Sequence, residues 1–279
     1  MRRLKVLLVA SFLLMVMRFP AEAMFYSGGS YWIDQVMPTT VGNTGKATIN
    51  IIGEIPKAPP YASIWGPGYG LTNEIVGTVV KWSKDAFNNS WGGTSSILTV
   101  TFDLSGMQKG TYAVSFPNPD YPTDPSYLVY HLWALTVEDG KGPDLWVMMS
   151  GETTVRVGSK TTYRVFYGNS GGIDVPSAIL YLAIPKEMTY KLLFDPAPYQ
   201  NFWYPGISEA AGGLEPNFEG DFDAKPYSII PLSIQNLAPG MAAPLKIEVT
   251  WGSSPAQHLL RAFWHGSKST SYRPLWGNP

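Results

Sequence analysis

The stretch Ile97-Leu98-Thr99-Val100-Thr101-Phe102-Asp103-Leu104 (ILTVTFDL) decides the fold class. Leu98, Val100, Phe102 and Leu104 fall on one face of an extended chain and Thr99, Thr101 and Asp103 on the other, because successive strand side chains point to opposite sides. One buried face and one wet face is the pattern of an antiparallel sheet. The same texture repeats outward from it. β-Branched and aromatic runs occupy 31–37, 46–53, 62–65 and 74–82 before it, and 111–116 and 128–137 after it. A polar, turn-rich hexapeptide, Glu138-Asp139-Gly140-Lys141-Gly142-Pro143, then reads as a short linker. Beyond it the pattern restarts at 144–149, 153–157, 161–169, 178–184, 228–235, 245–251 and 258–264. In TTYRVFYGN, Tyr163, Val165 and Tyr167 share one face while Arg164 and Phe166 share the other. Asn169-Ser170-Gly171-Gly172 supplies residues tolerant of positive φ, where the chain can turn. No long window carries the helical i, i+3, i+4, i+7 period. About seven short strands in each half is the signature of an all-β sandwich. Residues 195–225, rich in Pro, Gly and aromatics, read as a long loop or excursion.

Composition agrees and excludes several classes. The 279 residues carry 20 Lys and Arg against 21 Asp and Glu, a net charge of −1, so there is no basic excess to neutralise the phosphates of a nucleic acid. There are no cysteines, hence no disulfide scaffold and no thiolate metal site. Apolar residues make up 45% of the chain, enough to supply a core. The 28 glycines and 24 prolines match a chain that turns often.

Residues 1–23 read as a secretory signal peptide. Arg2, Arg3 and Lys5 form a positive start, residues 6–17 (VLLVASFLLMVM) an apolar core, and Pro20 then breaks the helix ahead of the small-x-small site Ala21-Glu22-Ala23. The apolar run is shorter than the roughly 20 residues a spanning helix needs, and no later stretch reaches that length. The expected product is therefore secreted or extracytoplasmic, with no membrane span after cleavage. Without disulfides, its two halves, 24–142 and 143–279, must hold together by burial alone.

The residues resemble two known domain types. Met37-Pro38-Thr39-Thr40, then 47–53 (ATINIIG), then 110–120 (GTYAVSFPNPD) resemble an IPT/TIG-type immunoglobulin-like domain. Asp144-Leu145, Val155-Arg156-Val157-Gly158, 163–171 (YRVFYGNSG), Ile184-Pro185 and Leu237-Ala238-Pro239-Gly240 are similar to the CARDB and DUF11 repeats of bacterial surface proteins. The resemblance implies two tandem immunoglobulin-like antiparallel β-sandwiches in a modular, non-enzymatic protein. In such families these domains are spacers or stalks and sometimes adhesive modules. It implies protein partners, or a spacer role, at the bacterial cell envelope or outside it. Residues 195–225 are not explained by it.

Candidate chemistry is sparse. His131, His258 and His265 stand at no ligand spacing, and no Gly-x-Ser-x-Gly elbow occurs. Gly66-Pro67-Gly68-Tyr69-Gly70 leads into a strand rather than a helix, so it reads as a turn rather than a phosphate loop. No enzyme constellation and no cofactor are expected. Glu219, Asp221 and Asp223 alternate in an extended segment and could offer hard oxygen ligands to Ca²⁺, although the spacing matches no calcium loop. The aromatics matter more, since pyranose rings stack on exposed Trp and Tyr. An alternative role is therefore carbohydrate binding through loop aromatics: Tyr199, Phe202, Trp203 and Tyr204 in the excursion, with Tyr61, Trp65, Tyr69 and Trp91 in support. Trp82, Trp133, Trp146, Trp251 and Trp264 lie at strand positions and are expected in the core.

Overall fold

Runs of β-branched and aromatic residues interrupted by Gly, Pro and Asn leave the chain little option but strands and turns, and the computed structural model contains no α-helix among its described residues. The structure describes residues 24–25, 30–66, 74–88, 92–152, 157–193, 206–209, 225–252 and 260–264.

Among its described residues the first half contributes nine strands: β1 (Met24–Phe25), β2 (Trp32–Met37), β3 (Thr40–Gly42), β4 (Lys46–Glu54), β5 (Ala62–Trp65), β6 (Ile75–Asn88), β7 (Thr94–Asp103), β8 (Gly110–Pro117) and β9 (Leu128–Glu138). They form one continuous path, β1-β9-β8-β5-β6-β7-β4-β2, with β3 parallel to β9. The path folds over at β6, which pairs with β5 through Ile75–Gly77 and with β7 from Thr78 onward. Gly77 marks the crossing: a Cβ there would lie 2.5 Å from Val100 Cγ1 and 2.6 Å from Phe102 Cε1, so only glycine lets β6 pass this close to the core. The chain also changes layer at the cis Met37-Pro38 bond, since β2 pairs with β4 while β3 pairs with β9. Ile49 and Ile51 of β4, Val100 and Phe102 of β7, Val114 and Phe116 of β8, and Leu135 and Val137 of β9 meet in one buried cluster. Each such side chain contributes about 1.5–3 kcal/mol relative to exposure.

The second half adds β10 (Leu145–Ser150), β11 (Lys160–Asn169), β12 (Val175–Pro185), β13 (Thr189–Leu193), β14 (Gly206–Glu209), β15 (Tyr227–Leu237), β16 (Ala242–Thr250) and β17 (Arg261–Trp264). Two four-stranded sheets, β10-β11-β16-β13 and β14-β15-β12-β17, share a second core. Tyr163, Val165 and Tyr167 point into it, as the alternation requires, facing Leu180, Leu182 and Ile184 of β12. The continuous apolar run of β12 is buried on its other face as well, where Tyr181 stacks on Phe263 with ring centroids 5.5 Å apart.

Several expectations are corrected. The region 195–225 is not all loop, because β14 lies within it and pairs with β15. Strand β13 (TYKLL) has no counterpart among the sequence runs, and β6 extends six residues past the expected end at 82. The polar face of β7 is wet only at its end: Asp103 is exposed and Thr101 partly buried, whereas Thr99 is 1% exposed and donates to Asn50 Oδ1.

Candidate functional site

Two places gather polar or aromatic side chains. The first is the junction between the halves. The turn after β11 is organised by Asn169, fully buried, whose Oδ1 accepts from the Gly171 and Asp144 amides and whose Nδ2 donates to the Ile173 and Leu237 carbonyls. Gly171 and Gly172 have ordinary negative-side backbone and are needed for space instead. A Cβ on Gly171 would sit 2.3 Å from the Gly142 carbonyl, and one on Gly172 2.6 Å from the Gly42 nitrogen. This close approach lets main chain meet main chain: Gly42 N–H donates to Gly172 O (2.7 Å), Gly172 N–H to Gly142 O (3.0 Å) and Asp174 N–H to Lys46 O (2.7 Å).

Asp174 then reaches across to β4. Its Oδ1 accepts from the Thr48 amide and its Oδ2 from Thr48 Oγ1, both at 2.8 Å, while Thr48 Oγ1 also lies 2.6 Å from Thr101 Oγ1. Burial pushes the Asp174 carboxyl above the usual carboxylate range, against the opposing pull of the Thr48 hydrogen bonds and the Lys46 charge. This contact covers the threonine row of β4 and β7. On the other side Asn43 donates to Asp139 Oδ1 and Met107 O and accepts from the Gly140 amide, so the hexapeptide read as a linker is tied at both ends.

The second place is the outer face of the β9-β8-β5 layer. Tyr130, Ser115, Ser63 and Val76 stand opposite one another in one row across β9, β8, β5 and β6. In the next row Trp65 is paired with Ala113, and Ala113 faces a bulge in β9 between His131 and Leu135. Trp133 is the middle residue of that bulge, with φ at +54° and 48% of its surface exposed. Neither Trp65, Tyr130 nor Trp133 belongs to a hydrophobic core. Trp65 donates its indole N–H to Ser115 Oγ (2.6 Å), and Ser63 Oγ donates to Glu74 Oε1 (2.5 Å).

The five strand tryptophans thus divide. Trp82, Trp251 and Trp264 pack in or against the cores, whereas Trp133 faces solvent and Trp146 covers Gly168 outside the core. The loop set Tyr199, Phe202, Trp203 and Tyr204, the acidic set Glu219, Asp221 and Asp223, and Tyr69, Trp91, His258 and His265 lie outside the described residues. Tyr61 and Trp65 are described, both partly buried. Among the described residues no group of three or more His, Asp or Glu is arranged to hold a metal ion, and no helix is long and apolar enough to cross a membrane. Sequence reasoning missed Trp133 as a surface residue and Asp174 as a bridging one. A two-residue bulge leaves no mark on strand alternation, and an Asp two residues past Gly171-Gly172 reads as an ordinary polar residue near a turn.

No family model matches the chain, and no curated protein matches it. Among solved structures it is similar to the secreted serine protease VesC from Vibrio cholerae, at 12% identity and a TM-score of 0.22, over 85% of this chain and 49% of that one. The chain spans about half the length of that protein. A likeness at that score carries no argument about fold or function.

Proposed function

We propose that the chain is a secreted, non-catalytic structural or adhesive module of the bacterial cell envelope or exterior, built of two tandem immunoglobulin-like sandwiches. The observation that carries this reading is the junction. A spacer or stalk transmits position only if its units keep a fixed orientation, and here main-chain hydrogen bonds and the Asp174–Thr48 pair join the two halves. Adhesion has a physical route at β10. This edge strand, Leu-Trp-Val-Met-Met-Ser, carries no charge and pairs only with β11 among the described residues. An uncharged edge can accept a partner's strand. Export rests on the signal-like residues 1–23.

Co-sedimentation of the purified protein with isolated bacterial envelopes tests the proposal. Saturable binding, lowered by Met148→Lys on the β10 edge, is the expected result. Failure to bind envelopes, or release of soluble products from them, would reject it.

A further inference from the structure

We propose that β10 pairs antiparallel with the β10 of a second copy of this chain, about a two-fold axis at Val147, and joins the two β10-β11-β16-β13 sheets into one. This rests on the adhesive reading of the β10 edge above and names its partner. The other strands at the ends of the sheet paths are guarded against such pairing. Among the described residues β1 is two residues long, β2 is broken by a bulge between Ile33 and Gln35, and β13, β14 and β17 carry Lys191, Glu209 and Arg261. β10 has no charge, proline or bulge, and all six of its residues pair in register with β11. Its core-side residues Leu145, Val147 and Met149 pack against the second core yet stay partly exposed, whereas Val165 and Tyr167 beside them on β11 are buried.

Directly opposed residues of an antiparallel pair lie on one face, so a two-fold axis must match outward residues with outward ones. With Val147 opposite itself, Leu145 meets Met149 of the second copy on the core side. On the outer side Trp146 meets Met148 of the second copy, and the symmetry makes that contact twice. The Trp146 indole lies against Gly168 and Met148 is 38% exposed, so a thioether is free to settle on each ring.

Charge selects the same register. Asp144 continues the β10 ladder, its carbonyl accepting from the Ser170 N–H at 2.8 Å. With the axis at Val147, Asp144 stands opposite Ser150 of the second copy, and Ser150 is paired on its other side with Arg164. Asp144 and Arg164 are both exposed. Their backbones are then two strand spacings apart, roughly 9.5 Å, and the guanidinium reaches over the small serine to the carboxylate. Two such pairs flank the Trp146–Met148 centre. Moving the axis to Met148 would set Asp144 against Glu152, a second exposed carboxylate, and moving it to Trp146 would set Asp144 against Met148. The outward row Asp144, Trp146, Met148, Ser150 is therefore its own complement when read backwards, which points to a second copy as the strand that fits.

Sedimentation velocity of the purified protein over a range of concentrations tests the pairing. A monomer–dimer equilibrium is expected, weakened about tenfold in Arg164→Glu, which turns two attractive contacts repulsive, and restored when Asp144→Lys is added. The chain has no cysteine, so single cysteines report the register. Directly opposed residues of antiparallel strands have Cα atoms roughly 4.5–5.5 Å apart, within the range a disulfide bridges. Val147→Cys should therefore cross-link on mild oxidation, and Met148→Cys at least tenfold more slowly. A monomer at every concentration, unchanged association in Arg164→Glu, or faster cross-linking at 148 than at 147 would overturn the inference. The two readings fail separately in the envelope assay. A protein that stays monomeric yet binds envelopes through β10 overturns the second copy and keeps the adhesive reading, whereas a dimer that leaves envelopes unbound keeps the pairing and rejects that reading.

Discussion

Replacing Asp174 separates what its carboxylate does as an acceptor from what its charge costs. Asp174→Ala removes both acceptors of Thr48, a residue only 6% exposed. The hydroxyl keeps Thr101 as a partner, but the Thr48 amide is left without one. An unsatisfied buried donor costs about 1–3 kcal/mol, so a loss near 2 kcal/mol is expected. Asp174→Asn differs. Its Oδ1 still accepts from the amide and its Nδ2 can donate to Thr48 Oγ1, while the desolvated charge is gone. Neutral hydrogen bonds are weaker than charge-assisted ones, and relief of desolvation offsets the difference, so Asn should lie within about 1 kcal/mol of the parent.

The pH dependence gives the sharper check. Burial raises the Asp174 carboxyl above its unfolded value, so its contribution to stability is complete below about pH 4, the unfolded value. That contribution is lost as pH rises through the folded value. The parent should therefore gain stability relative to Asp174→Asn on acidification from pH 7 towards pH 4. Urea denaturation followed by tryptophan fluorescence at several pH values measures both quantities. If the parent instead loses stability relative to Asp174→Asn as the pH falls, the carboxylate is held by attraction and the reasoning about its burial is wrong.

Other perturbations test separate links. Asn169→Ala removes a fully buried side chain and strands two amides and two carbonyls. It should cost about 3 kcal/mol or more in urea denaturation, and a change below about 1 kcal/mol would show that the turn does not depend on it. Trp133→Gly should raise the thermal midpoint, because glycine removes a left-handed cost of about 1–2 kcal/mol. A lowered midpoint would mean that the indole packs better than its exposure implies. Met148→Lys places a charge on the uncharged β10 edge and should reduce self-association of concentrated protein in light scattering. No change would remove β10 as a pairing edge.

Much of the architecture is legible in side-chain alternation. Leu98, Val100, Phe102 and Leu104 turn inward as ILTVTFDL requires, and so do Tyr163, Val165 and Tyr167. What fails to show is anything set by a distant segment. Thr99 and Thr101 read as wet because one strand does not reveal that Asn50 and Asp174 will meet that face from other parts of the chain. Gly171 and Gly172 read as turn formers, yet their role is to let the Gly42 and Gly142 backbones approach. Trp133 reads as core because alternation assumes an unbroken register, and the bulge opposite Ala113 breaks it. The candidate face was legible only at Trp65, since the cross-strand partners that complete it come from β8 and β9.

The most direct test of the central claim, that the halves act as one fixed unit, is the measurement of backbone residual dipolar couplings on the purified protein. The account predicts a single alignment tensor fitting couplings from β4, β7 and β8 together with those from β11, β12 and β16. Two tensors of different magnitude for the two sets would mean that the halves reorient independently, and would contradict it.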